Sequence, residues 1–213
     1  RRFPMLLRLP LYFLTGCLTL ISVISTAVPG SAEIFNSSVD RLPVGDRAAL
    51  RSGQTLVTGE KGNYVAKILI KSSQDAAWNV LTDYGGVSKF LPNVVSSKVL
   101  ESNGNRKVIE QVDARQIFLI NVRSRIRSSI IETAKTRIDF RQVDGDLQKL
   151  QGYWIVEPVA PFSGAKADQV LITYVVDAQP KPGTPKGIFY SLFKDSLSQT
   201  LSIISQEVMR RSR

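Results

Sequence analysis

Apolar and polar positions alternate through most of the chain from Gln54 onward, and a period of two marks strands half-buried against a core. Residues 54–59 and 64–70 flank the turn cluster Lys61-Gly62-Asn63 and predict a hairpin, with Ile68 and Ile70 alternating with Lys67, Leu69 and Lys71. Strands are predicted at 94–101 and 106–113, joined through Asn103-Gly104, a strong hairpin signal. The run 117–132 alternates most cleanly. Phe118, Ile120, Val122, Ser124, Ile126, Ser128 and Ile130 share one face, and Asn121, Arg123, Arg125 and Arg127 share the other. Residues 136–143, 150–157 and 169–178 complete the predicted strands.

Two segments carry a helical period instead. After Ser72-Ser73, which suit an N-cap, Ala77, Val80, Leu81 and Tyr84 follow amphipathic spacing until Gly85-Gly86 is expected to end the helix. Phe90-Leu91-Pro92 forms an apolar knuckle. Beyond the Pro180–Pro185 stretch, residues 188–210 predict the longest helix, because Phe189, Phe193, Leu197, Leu201, Ile204 and Val208 make one continuous stripe. A short helix is expected at 46–51. A hairpin-rich antiparallel sheet closed by one long helix is an α+β fold. Residues 33–53 read as an N-terminal extension and 54–213 as the domain.

The pattern is different before residue 33. Arg1, Arg2 and Arg8 precede an uncharged apolar run at 9–28, then Pro29-Gly30-Ser31-Ala32, which is the layout of a secretory signal peptide cleaved after Ala32. The run is also long enough for an uncleaved membrane anchor. Leu14-Thr15-Gly16-Cys17 fits a lipoprotein acylation pattern, although the apolar residues that follow do not suit one. Each reading of residues 1–32 exports the rest of the chain to a periplasm, a lumen or the exterior.

Composition narrows the chemistry. The 213 residues include no histidine and one cysteine, so there is no imidazole base, no Ser-His-Asp triad and no His-ligated metal. Once Cys17 is assigned to the export segment, the domain lacks every thiol as well. Formal charge is +10; without Arg1, Arg2 and Arg8 the chain has 25 basic and 18 acidic residues, net +7. Arg123, Arg125 and Arg127 carry part of it as a row on one strand, either a solvated sheet face or a docking site for an anionic membrane surface. No nucleic-acid motif accompanies the charge, and no nucleic acid is expected as a partner.

Local words along the chain agree with the order of elements. Trp78-Asn79-Val80-Leu81-Thr82-Asp83-Tyr84, Phe90-Leu91-Pro92-Asn93 and Ser97-Lys98-Val99-Leu100 resemble the opening of the START-like (helix-grip, SRPBCC) superfamily. The resemblance is to its polyketide cyclase/dehydrase and coenzyme-Q-binding START-domain families in particular. Phe140-Arg141-Gln142-Val143-Asp144-Gly145-Asp146, Gly152-Tyr153-Trp154-Ile155-Val156-Glu157-Pro158 and Tyr174 continue it in the same order, over roughly residues 54–210. The resemblance implies a curved antiparallel sheet wrapped around the C-terminal helix, and an apolar cavity between them for a lipid, quinone, isoprenoid or polyketide-like ligand. On that basis Trp78, Phe90, Phe118, Ile120, Phe140, Trp154, Tyr174, Phe189, Phe193 and Leu197 are the candidate cavity residues.

No catalytic signature can be transferred, and neither cofactor nor metal is expected. The domain is expected to work as a monomer that binds a hydrophobic small molecule, with transfer of that molecule as an extension of the same reading. The alternative is a cyclase or dehydratase. Its acid-base groups would come from Glu110, Asp113 and Glu132 with Tyr153, Tyr174 and Tyr190.

Overall fold

The computed structural model describes residues 37–117 and 120–213. Eight strands form one antiparallel sheet in the order β1-β2-β8-β7-β6-β5-β4-β3. They are β1 Leu56–Glu60, β2 Asn63–Ile70, β3 Val94–Asn103, β4 Arg106–Ile117, β5 Ile120–Thr133, β6 Arg137–Gly145, β7 Leu147–Val159 and β8 Gln169–Pro180. Three helices accompany them: α1 Val44–Arg51, α2 Gln74–Leu81 and the 26-residue α3 Lys186–Arg211. The sheet curves around α3, which is the α+β helix-grip architecture.

The tight turns follow from backbone chemistry. Lys61 and Gly62 both have positive φ (52° and 93°), as a two-residue hairpin turn requires, and a Cβ on Gly62 would sit 2.2 Å from the Ala178 carbonyl oxygen. Only glycine lets this turn lie against β8. The Ser73 hydroxyl caps α2 by accepting from the Ala76 N–H at 3.1 Å.

The helix then stops at Leu81, before the expected Gly85-Gly86. The Thr82 hydroxyl donates to the Trp78 carbonyl at 2.8 Å, and the Asp83 carboxylate accepts from the Gly86 N–H at 3.0 Å. These side-chain bonds satisfy the last turn and redirect the chain into a single 3₁₀ turn at Val87–Lys89. β4 is also longer than predicted, because Ala114, Arg115 and Gln116 continue its ladder opposite Arg123, Val122 and Asn121.

The main core lies between the concave sheet face and helices α2 and α3. Leu197, Leu201, Ile204 and Val208 of α3 are buried against Ile68, Ile70, Val156 and Ile172, and each such side chain contributes about 2 kcal/mol by leaving water. The other sheet face has a smaller cluster. Val39 and Leu50, from the segment before β1, bury Leu69, Val159 and Leu171. Leu69, which alternates with Ile68 and Ile70, is thus buried by a second layer.

Candidate functional site

A cavity of about 250 Å³ lies between α3, the Phe90–Pro92 knuckle and the concave face of β4 to β8. Strand pairing decides which side chains reach it. Trp154 is opposite Ile138 and Tyr174, and Phe140 is opposite Ile130 and Gly152, so these residues point to one side. Of the ten candidate residues, Phe90, Phe140, Trp154, Tyr174, Phe193 and Leu197 line the cavity. Trp78 packs on the core beneath it, and Phe189 stacks on Phe193 at 5.6 Å behind the wall. Phe118 and the Ile120 side chain lie outside the described residues, as does the N-terminal segment 1–32.

The aromatic wall is ordered. Tyr174 lies face to face with Trp154 at 3.8 Å between centroids and meets Phe140 at 5.6 Å, while Phe193 reaches across to Tyr64 at 6.1 Å. Gly152 makes room for this packing: a Cβ there would stand 2.9 Å from the Phe140 ring and 2.0 Å from the Val175 carbonyl oxygen.

Several lining residues were not among the cavity candidates, Asp113 having been named only as an acid-base group. Ile109, Gln111, Asp113 and Arg115 alternate along β4 and face inward, because their partners on β5 are Ser128, Ile126, Ser124 and Val122. Three of these four β4 side chains are polar and would suit a solvated face if β4 stood alone. The available signal was the Asn103-Gly104 hairpin, but the face follows only from the pairing with β5.

Burial acts on the charges of this face. It raises the Asp113 carboxyl, with Arg115 opposing, and it raises the Tyr174 hydroxyl, with the charge of Asp113 adding to the effect. Tyr84 is also pushed up, by burial first and then by donating to Glu132 at 2.8 Å. Lys107 neutralises Glu132 at 2.9 Å.

The remaining acid-base candidates lie elsewhere. Glu110 is on the outer face, where hydrogen bonds from Arg127 and Arg125 hold it below the ordinary carboxylate range. Tyr153 lies under the Arg137 guanidinium at 3.7 Å, and Tyr190 donates to Gln179 at 2.7 Å.

The arginine row occupies that outer face too. Arg125 is paired with Glu110 and Asp144, and Arg127 with Glu110, whereas Arg123 has no ion pair among the described residues. A hollow of about 800 Å³ beside it, lined in part by Val65, Ile131, Tyr153 and Val175, is an open saddle of the sheet. The smaller inner cavity has helix on one side and sheet on the other, so it can enclose a ligand. Among the described residues no cluster of three or more His, Cys, Asp or Glu could hold a metal ion, and no helix is long and apolar enough to cross a membrane.

Comparison with known proteins agrees with this geometry. The sequence model of the family described as "Polyketide cyclase / dehydrase and lipid transport" matches residues 70–203. No curated protein sequence matches the chain. Among solved structures, TTHA0849 from Thermus thermophilus is similar at TM-score 0.59 and 16% identity, covering 70% of this chain and 98% of that one. The STAR-related lipid transfer protein from Xanthomonas axonopodis has TM-score 0.56 and 16% identity, covering 73% and 92%. The Zhui aromatase/cyclase from Streptomyces has TM-score 0.53 and 15% identity, covering 75% and 97%. At such identities the likeness establishes a shared fold.

Proposed function

The chain belongs to the polyketide cyclase / dehydrase and lipid transport family, and from that premise we propose that it binds a hydrophobic small molecule in the concave cavity and shields it from water. The observation that carries this reading is the cavity itself, with the wall Phe140, Trp154, Tyr174, Phe193 and Leu197 beneath α3. Its 250 Å³ is slightly under the roughly 300 Å³ at which drug-sized sites begin. A compact ligand fits: one or two fused rings, or the end of an isoprenoid or acyl chain.

Area sets a floor for the affinity. Burying roughly 300 Å² of apolar ligand surface is worth at most about 7 kcal/mol, and association costs take several kcal/mol of that. The remainder, about 3–4 kcal/mol, corresponds to binding no tighter than about the millimolar range, so tighter binding draws on specific packing and polar contacts as well as on area. Entry is through the α3 side, where the loop between β8 and α3 contains Pro182, Gly183 and Pro185 and serves as the hinge of a lid. Residues 1–32 would place this activity across a membrane, which N-terminal sequencing of the native protein checks by finding Glu33 as the first residue.

A second reading, a cyclase or dehydratase, draws on Asp113, Arg115 and Tyr174 lining the same cavity. Mass spectrometry of small molecules extracted from protein purified from its native source tests the binding reading. An apolar molecule near one equivalent is expected. Protein that carries none and takes up no apolar probe overturns it, and turnover of the extracted molecule on re-addition decides for the enzyme.

A further inference from the structure

The sheet ends in two edge strands, β1 and β3. β1 is five residues long, whereas β3 runs for ten, and among the described residues β4 is the only strand that pairs with it. Two β-bulges interrupt that ladder. Val94 is opposite Asp113 and Ser96 opposite Val112, which leaves Val95 over; Val99 is opposite Ile109 and Glu101 opposite Val108, which leaves Leu100 over. Both extra residues are apolar and exposed, by 47% and 42%, and Val99 beside Leu100 is exposed by 44%. Three apolar side chains thus stand in water in the short stretch 95–100 of one free edge.

The bulge at Leu100 also changes which side chains share a face. In an unbroken strand residues three apart point to opposite faces. Lys98 and Glu101 are three apart, yet their β4 partners, Glu110 and Val108, are two apart and both belong to the outer face. Lys98 and Glu101 therefore stand together on the outer face, both exposed. Neither has an ion pair among the described residues, and Glu110 is already bonded by Arg125 and Arg127.

This edge is complementary to itself. If a second copy lays its β3 antiparallel to the first, about a two-fold axis perpendicular to the sheet and passing between Val99 and Leu100, outer face stays with outer face. Lys98 then meets the second copy's Glu101, and Glu101 meets its Lys98. Ser97 meets the second copy's Ser102 on the inner face and Ser96 its Asn103 on the outer, so each pair agrees in face. Val99 and Leu100 meet their counterparts at the axis, and Val95 comes over the turn at Gly104, where no side chain obstructs it. Without the bulge no such axis could pair these two charges, because residues an odd number apart would come from opposite faces. An edge lysine ordinarily protects a sheet from strand addition; this register gives it a counter-charge, twice. We propose that β3 is a homodimer edge, at which two copies of this chain join their sheets through the backbone ladder, the exposed apolar residues and two reciprocal pairs of Lys98 with Glu101. An isologous contact of this kind closes with two copies, and its small apolar area makes the dimer weak and reversible. The inference is independent of the cavity reading.

Sedimentation velocity of the full chain over a series of concentrations tests it. The native protein is expected to pass from one copy to two as concentration rises. Lys98→Glu and Glu101→Lys each set like charges opposite one another at both pairs, and each is expected to weaken association by about tenfold or more. Mixing the two variants is the decisive arm. A Lys98→Glu chain and a Glu101→Lys chain complement each other at both pairs, so the mixture is expected to form a heterodimer although neither variant associates well alone. The double reversal Lys98→Glu/Glu101→Lys is expected to restore the native association. Both positions are exposed, and circular dichroism checks that each variant is folded; if one is not, the other single reversal and the native protein still decide. A native chain that stays a single copy throughout, association that ignores the single reversals, or a mixture no more associated than its components overturns the proposal.

Discussion

Trp154 on β7 and Tyr174 on β8 occupy directly paired positions, and their rings lie face to face, 3.8 Å between centroids and 7° from parallel. A cross-strand aromatic pair of this kind joins two strands and forms a flat cavity wall at once. Trp154→Ala is therefore expected to cost about 3 kcal/mol of stability. Urea unfolding followed by far-UV circular dichroism measures it, and an unchanged midpoint would show that the stack contributes nothing to the core.

Phe193 projects from α3 into the cavity and touches Tyr64 and Phe189. An aspartate there puts a charge on the apolar wall while most of the α3 stripe stays intact. Phe193→Asp should weaken uptake of an apolar fluorescent probe by about tenfold or more, with circular dichroism and gel filtration showing a folded protein. Undiminished uptake would move the ligand out of this cavity.

Gly152 on β7 is paired with Phe140 on β6 and leaves room for its ring. Adding a methyl drives it against the Val175 carbonyl and the Phe140 ring. Gly152→Ala is expected to destabilise the protein by about 2–3 kcal/mol, a typical cost of overpacking. A shift of the denaturation midpoint within error of zero would contradict the tight contact.

Glu207 joins the end of α3 to its own last turn. Its carboxylate accepts from Arg210 at 2.7 Å and from Arg211 at 2.6 Å, and these bonds, Arg210 first, lower its pKa to about 2. Arg211 in turn reaches Asp83 at 2.8 Å, behind the Phe90 knuckle. The unfolded chain protonates this carboxyl near the ordinary value of 4.5. The stabilisation is thus complete above that pH and is lost as pH falls from 4.5 toward 2. Other lowered carboxylates, Asp144 and Asp177 among them, titrate alongside. The diagnostic quantity is therefore the difference between native protein and Glu207→Gln. Their thermal midpoints should differ at pH 6 and converge as pH falls to about 2, and a constant gap across that range would rule the linkage out.

Membrane docking through the arginine row is tested by co-sedimentation with vesicles of phosphatidylcholine and phosphatidylglycerol. Glu110 and Asp144 already offset Arg125 and Arg127, so Arg125→Ala and Arg127→Ala should change binding little. Arg123→Glu should remove most of it, as should raising the salt. Binding that ignores Arg123 and anionic lipid alike would discard this face as the docking site.

Elements whose signal is local were legible in the sequence. The α3 stripe from Phe193 to Val208, the Lys61-Gly62 and Asn103-Gly104 turns and the alternation along β5 all depend on residues within a few positions of each other. The exception among them is α2, where Thr82 and Asp83 end the helix ahead of the glycines. The aromatic wall was named through the family resemblance, which implies a cavity and made Phe140, Trp154 and Tyr174 candidates; their side-by-side placement comes from the strand pairing.

What the sequence by itself determined is the list of strands and helices, the turn positions and the apolar face of α3, since backbone propensity and periodicity act over short range. Only the tertiary structure decided what those faces meet. Asp113 and Arg115 enter the cavity because β4 pairs with β5 in one register. Leu69 is buried because Val39 and Leu50 cover it, and the charge of Arg125 is spent on Glu110 and Asp144, 15 and 19 residues away. Burial and charge compensation depend on partners distant along the chain, and those partners arrive only when the sheet closes around its helix.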